Sequence, residues 1–133
     1  MGSKSKIGWT DAQWSPVVGC SKVSAGCTRC YSERMTATRL KRLPLYANLT
    51  TEDGHWTEVV KCVPERLYEP LHWRKSRKVF VCSQSDLFHP SVPFEFIFRV
   101  WDTMMGCPRL IFQIPTKRPE RILAYRDWLH AHN

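Results

Sequence analysis

Apolar positions along this chain recur in two periods. Lys78-Val79-Phe80-Val81-Cys82-Ser83 and Arg109-Leu110-Ile111-Phe112-Gln113-Ile114 are short β-branched or aromatic runs between polar or turn-forming residues, the pattern of buried strands. Pro16-Val17-Val18-Gly19-Cys20 is a shorter run of the same kind. It predicts a first strand that delivers Cys20 to a small polar loop, 21–26. The other period is helical. Phe96, Ile97, Val100, Trp101, Met104 and Met105 form one apolar stripe, with Pro93 suited to the first turn and Gly106-Cys107-Pro108 ending it. A helix over 31–42 carries basic residues in its last turns, which suits the negative end of the helix dipole, and Pro44 stops it. A last helix runs from about Glu120 to Leu129, with Ile122, Leu123, Tyr125 and Leu129 apolar. Residues 1–16 read as an irregular lead-in containing Trp9 and Trp14, and 45–63 as an irregular excursion around Glu52-Asp53-Gly54. Pro64–Glu69 reads as one or two helical turns opening on proline.

The order is strand, helix, strand, helix, strand, helix. That alternation predicts an α/β fold with a parallel sheet, a partial (β/α) barrel-like arrangement of about three strand–helix units in a single domain over 1–133. In such folds the loops beyond the carboxyl ends of the strands carry the chemistry. Here those loops hold the cysteines near residue 20, the segment Ser83–His89, and Pro115–Arg118.

The 133 residues are 43% hydrophobic, with six Trp and six Phe, enough for one modest core and too apolar for a wholly disordered chain. No run approaches the roughly 18–20 apolar residues that cross a bilayer. The start, Met1-Gly2-Ser3-Lys4-Ser5-Lys6, lacks the apolar stretch of a signal peptide. Six cysteines without such a leader suggest a reducing cytoplasm, where clustered thiols act as ligands more often than as disulfides. Cys82 and Cys107 read as small buried hydrophobes. The net charge of +8 favours an anionic partner such as nucleic acid or an acidic protein, although the basic residues are spread out.

The strongest chemical signal is the spacing C-x6-C-x2-C formed by Cys20, Cys27 and Cys30. Cysteines two residues apart can aim both sulfurs at one metal centre, and a third completes a three-thiolate face. Three ligands leave one coordination position open for chemistry. Two metal readings stand side by side. One is a [4Fe–4S] cluster with an open iron; the other is structural zinc with Cys62 or His55 as fourth ligand. Zinc sites usually show two C-x2-C-like pairs, and the second pair is missing here, which favours the cluster.

Four ordered segments carry a family resemblance across nearly the whole chain. They are Ile7–Cys20, Ser24–Glu33, Ser83-Gln84-Ser85-Asp86-Leu87-Phe88-His89, and Phe112–Arg121 with its Pro115-Thr116-Lys117-Arg118-Pro119 core. Together they resemble the phage Gp37/Gp68 family, which is similar to divergent radical S-adenosylmethionine enzymes built on partial or complete (β/α) barrels. That resemblance implies a cluster on Cys20, Cys27 and Cys30. The open iron would bind the amino and carboxylate groups of S-adenosylmethionine, whose reductive cleavage yields a radical that takes hydrogen from a substrate. It further implies cofactor contacts after the second strand, at Ser83, Ser85 and Asp86, with Asp86 pairing the cofactor's ammonium. Thr116 and Lys117 would meet its carboxylate or a substrate anion. His89 reads as structural.

Two departures stand out. The usual radical spacing is C-x3-C-x2-C with an aromatic residue before the last cysteine, whereas this chain has a gap of six and Arg29 there, with Tyr31 following. A closed barrel takes roughly 200 residues or more, so the chain reads as a truncated half-barrel with an open sheet edge through which it could form a homodimer. A rival from another class is a non-enzymatic, zinc-stabilised basic module that binds nucleic acid or a host or phage protein.

Overall fold

The computed structural model describes residues 10–21, 31–83 and 85–132. Three strands form a parallel sheet: β1 (Ala12–Trp14), β4 (Lys78–Val81) and β5 (Ile111–Gln113), side by side in that order. Ala12 pairs with Val79 and Trp14 with Val81, while Val79 pairs with Phe112. Because side chains alternate across a strand, this register puts Ala12, Trp14, Val79, Val81 and Phe112 on one face. That face packs against α2 (Phe94–Met105) through Ile97, Val100 and Met104 and against α3 (Pro119–His132) through Tyr125. Each fully buried valine or larger side chain contributes about 1.5–3 kcal/mol. The sheet runs in chain order without reversal, as adjacent strands of a (β/α) barrel do and unlike a doubly wound sheet, which reverses at a switch point. Among the described residues the sheet does not close into a barrel. The fold is mixed α/β, as the alternation predicts.

The first strand is not where the sequence pattern places it. β1 lies within the stretch read as an irregular lead-in. The Pro16–Cys20 run instead supplies β2 (Val17–Val18), which pairs antiparallel with β3 (Lys61–Cys62) outside the main sheet. Three residues with a polar Gln13 in the middle are too short for periodicity to register. What holds β1 is tertiary. The Trp14 side chain is fully buried, and its indole N–H donates to the Arg66 carbonyl at 2.7 Å.

Around β2 and β3 a second buried cluster forms from Val18, Tyr46, Leu49, Trp56 and Val63, with Cys20, Leu40 and Leu45 packed against it. The excursion over 45–63 thus has a core of its own. It includes a 3-10 turn at Pro44–Tyr46 and an antiparallel bridge between Thr50 and Trp56. The first helix, α1 (Tyr31–Thr38), stops a turn before Arg42. Thr38 Oγ1 donates back to the Arg34 carbonyl at 2.7 Å, and Leu43 must be extended ahead of Pro44. Glu33 anchors α1 by accepting the Trp56 N–H at 2.9 Å. A 3-10 turn at Pro64–Arg66 matches the helical turn expected there, and a second, Glu69–His72, begins where that stretch ends. No helix among the described residues is long and apolar enough to cross a membrane.

Candidate functional site

Because β1, β4 and β5 are parallel, their carboxyl ends share one edge, and the loops beyond them meet there. The chain reaches Cys20 through Gly19, whose φ is +90°. A Cβ on Gly19 would stand 2.1 Å from the Val59 carbonyl oxygen, so only glycine fits this close approach. Gly19 also bridges in parallel to Ser85, which brings the cysteine segment alongside the loop after β4. Cys20 is a half-buried free thiol. Cys27, Cys30 and Gln84 lie outside the described residues.

The loop after β4 begins with a sharp turn. Cys82 takes φ +60°, unusual for a residue with a side chain, while its N–H donates to the Trp14 carbonyl at 2.7 Å. Ser83 is buried in a hydroxyl network with β1 and its flank. Its N–H donates to Ser15 Oγ at 3.2 Å, and its own hydroxyl to Gln13 Oε1 at 3.1 Å. Ser85 Oγ donates to the Val17 carbonyl. Both serines therefore stitch the loop to β1 and β2. Burial pushes the Cys82 thiol up to about 12. At pH 8 the thiol stays protonated, and the thiolate is the nucleophile. Iodoacetamide applied to the folded protein at pH 8 is expected to leave Cys82 unmodified, whereas the same treatment in denaturant labels it. Mass spectrometry of the digested protein checks this, and fast labelling in the folded state would refute the burial.

Asp86 and Arg118 form the centre of the site. Their side chains are only 7% and 6% exposed, and Arg118 Nη1 lies 3.1 Å from Asp86 Oδ2. Asp86 Oδ1 also accepts the Phe88 N–H at 2.9 Å and the Thr116 hydroxyl at 2.7 Å, and Oδ2 accepts the Lys117 N–H at 3.1 Å. One carboxylate thereby clamps the loops after β4 and β5 together. Arg118 reaches on to the cysteine. Its Nη1 is 3.7 Å from Cys20 Sγ, and its Nη2 donates to the Ser21 carbonyl at 2.9 Å and to Ser21 Oγ at 3.3 Å. Burial raises the Cys20 thiol above its ordinary value, and the Arg118 guanidinium opposes that rise. Arg121, one turn into α3, closes the loop over 88–92 from behind. It donates to the Val92 carbonyl at 2.8 Å and lies over the Phe94 ring at 4.2 Å.

His89 is buried beside Ser21. Burial, and then the Arg118 guanidinium, lowers its pKa below the ordinary histidine value, so the ring is neutral at pH 7. Its Nδ1 accepts the Ser91 N–H at 3.0 Å, which puts the single ring proton on Nε2, 2.8 Å from Ser21 Oγ. His89 therefore donates to Ser21 and in this tautomer does not act as its general base. Ser21 Oγ accepts from both His89 and Arg118. Next to it opens a cleft of about 400 Å³ lined by Ser21, Glu33, His55, Trp56 and Glu58.

The structure thus brings Cys20, Asp86 and Thr116 into one hydrogen-bonded network. Lys117 joins it through its backbone N–H, and the residue is exposed. Ser83 and Ser85 sit behind the network, against β1 and β2. Of the fourth-ligand candidates, Cys62 packs against the main core, whereas Cys20 packs against the second cluster. His55 is exposed and stands 3.9 Å from Glu33. Among the described residues no three His, Cys, Asp or Glu side chains converge as a metal site. Arg118 and Ser21 are the members that sequence reasoning passed over. Arg118 looks like one more cation in a basic turn, and its partner lies 32 positions away, beyond any local pattern. The available signal was Pro119, which marks a helix start directly after Arg118.

No curated protein and no solved structure matches this chain. A model of a protein family of unknown function, DUF5131, matches residues 4–132. That match takes in β1, the cysteine segment and both loops that meet at Arg118, and the chain belongs to the DUF5131 family.

Proposed function

We propose that this DUF5131 member is an iron–sulfur protein of the phage Gp37/Gp68 type, resembling radical S-adenosylmethionine enzymes, in which Cys20, Cys27 and Cys30 hold a [4Fe–4S] cluster. The observation that carries the reading is the convergence at Cys20. All three strand-end loops meet there, and a buried guanidinium lies 3.7 Å from its sulfur. A cluster on three thiolates carries net negative charge, and a fixed cationic donor beside a ligating sulfur suits it. The cleft of about 400 Å³ beside Ser21 falls in the roughly 300–1,000 Å³ range of small-molecule sites and would have room for a small cofactor or substrate.

When bound, such a cluster supplies the electron for reductive cleavage of S-adenosylmethionine. The chain's own residues bind and orient. Asp86, with both oxygens engaged by the loops, acts by holding Thr116, Lys117 and Arg118 in place. The exposed Lys117 ammonium is available to a cofactor carboxylate or a substrate anion. Ser21 lines the cleft with its hydroxyl, and Glu58 adds a carboxylate there. Ser83 and Ser85 fix the loop on which this rests.

Anaerobic purification tests the reading. The expected protein is brown, with about four iron and four sulfide per chain, bleaches on reduction and cleaves S-adenosylmethionine. Cys20→Ala, Cys27→Ala and Cys30→Ala are each expected to lose the iron, while Cys82→Ala keeps it. A colourless protein carrying one zinc per chain would overturn the proposal in favour of the zinc-stabilised module.

A further inference from the structure

We propose that Arg118 is the residue that sets the reduction potential of the metal cluster, through a charge-assisted hydrogen bond to the Cys20 sulfur. This rests on Cys20 being a cluster ligand, as proposed above. The geometry is specific. Arg118 is 6% exposed, so its charge is poorly screened by water. Its guanidinium is held in one orientation by Asp86 Oδ2 at 3.1 Å and by the Ser21 carbonyl at 2.9 Å. Those two contacts leave Nη1 pointing at Cys20 Sγ, 3.7 Å away, within the reach of an N–H···S bond. Asp86 acts on the sulfur only through its field, and more weakly than Arg118, which donates to it directly. The negative charge of Asp86 is turned toward the Thr116 hydroxyl, the Lys117 N–H and the Phe88 N–H. The thiolate therefore meets the cationic end of the pair.

The consequence follows from electrostatics. Reduction adds an electron to a cluster that is already negative, and a hydrogen bond to a ligating sulfur, or a nearby positive charge, eases it. A lysine in this position keeps the charge but cannot span Asp86, Ser21 and Cys20 with the rigid fork of a guanidinium. Wild type is expected to be reduced most easily, Arg118→Lys less so, and Arg118→Gln least.

The test is a spectroelectrochemical titration of the anaerobically loaded full-length chain, with dithionite as reductant. Arg118→Gln is expected to be at least tenfold harder to reduce at a fixed potential, which is about 59 mV for a one-electron couple, with Arg118→Lys in between. A merely structural role would lower stability in both variants and leave the potential of the loaded fraction unmoved; that outcome overturns the proposal. A second measurement needs no variant. Wild-type protein labelled with ¹⁵N-arginine is expected to show a ¹⁵N hyperfine coupling in the reduced cluster's electron–nuclear double resonance spectrum, and its absence overturns the proposal equally. A wild-type chain that binds no iron overturns the cluster reading itself. A loaded cluster with unchanged potential overturns only the role of Arg118.

Discussion

Replacing Arg118 with methionine is expected to cost about 3–5 kcal/mol of folding stability, because it leaves the Asp86 carboxylate buried and without its ionic partner. The magnitude follows from burial on both sides, with Asp86 at 7% and Arg118 at 6% side-chain exposure. An exposed pair such as Arg126–Asp127, where the side chains are 59% and 70% exposed, contributes almost nothing by comparison. The loss goes beyond the pair. Arg118 also donates to the Ser21 carbonyl, so methionine frees the cysteine segment from the loop after β5. The double replacement Asp86→Leu with Arg118→Met removes both charges and is expected to recover part of the loss. Recovery stays incomplete because the Phe88 and Lys117 N–H groups lose their acceptor. Urea unfolding of the four proteins of this cycle measures the coupling. A single-variant cost below about 1 kcal/mol, the level of a surface pair, would refute the buried clamp.

Gly19→Ala is expected to be nearly as damaging, and to strike the site before the fold. At φ +90° an alanine is strained by about 1–3 kcal/mol. Its Cβ would also stand 2.1 Å from the Val59 carbonyl oxygen and 3.1 Å from Leu49 Cδ2. Backbone cannot yield as a flexible side chain does, and such overpacking adds about another 1–3 kcal/mol. The strand end must shift, and with it the bridge to Ser85 and the position of Cys20 one residue on. The variant is expected to melt below wild type and to retain iron poorly after anaerobic loading. Gly54→Ala is the control. It too has a positive φ, +84°, but the nearest side-chain atom to its Cβ is the Ala37 methyl at 3.7 Å, so it carries strain without collision. Equal melting temperatures for Gly19→Ala and wild type would show that the approach to Val59 is not enforced.

Much of the architecture was legible in the chain. The stripe from Phe96 to Met104 places α2, and the runs around Val79–Val81 and Ile111–Phe112 place two strands of the sheet, because amphipathic periodicity over several residues reflects which face is buried. Met105 shows where that reasoning reaches its end: it was read into the stripe yet is 76% exposed, since at about 100° per residue it lies on the far flank of the helix from Phe96. β1 was hidden for the opposite reason. Ala12-Gln13-Trp14 is too short to show a period, and its place depends on Trp14 being buried beside residues more than fifty positions away. The Val17–Val18 run has the composition of a strand, but composition does not name a partner, and its partner is Lys61–Cys62.

The site divides in the same way. Sequence alone determined which residue types are present at which spacing: the C-x6-C-x2-C triplet, the Ser83–His89 segment, and the Thr116–Arg121 turn into α3. It also determined that the last two follow strands of a parallel sheet and so share an edge; that the cysteine segment joins them there, from β2 outside that sheet, it did not. Only the tertiary structure decided what each residue does there. It turned Asp86 inward to clamp two loops, left Lys117 exposed, and buried the neighbouring Arg118 beside Cys20. Adjacent residues in a turn carry no periodic label for inside and outside. Which of two neighbouring cations is buried depends on where their carboxylate partner lies, and Asp86 arrives from another loop.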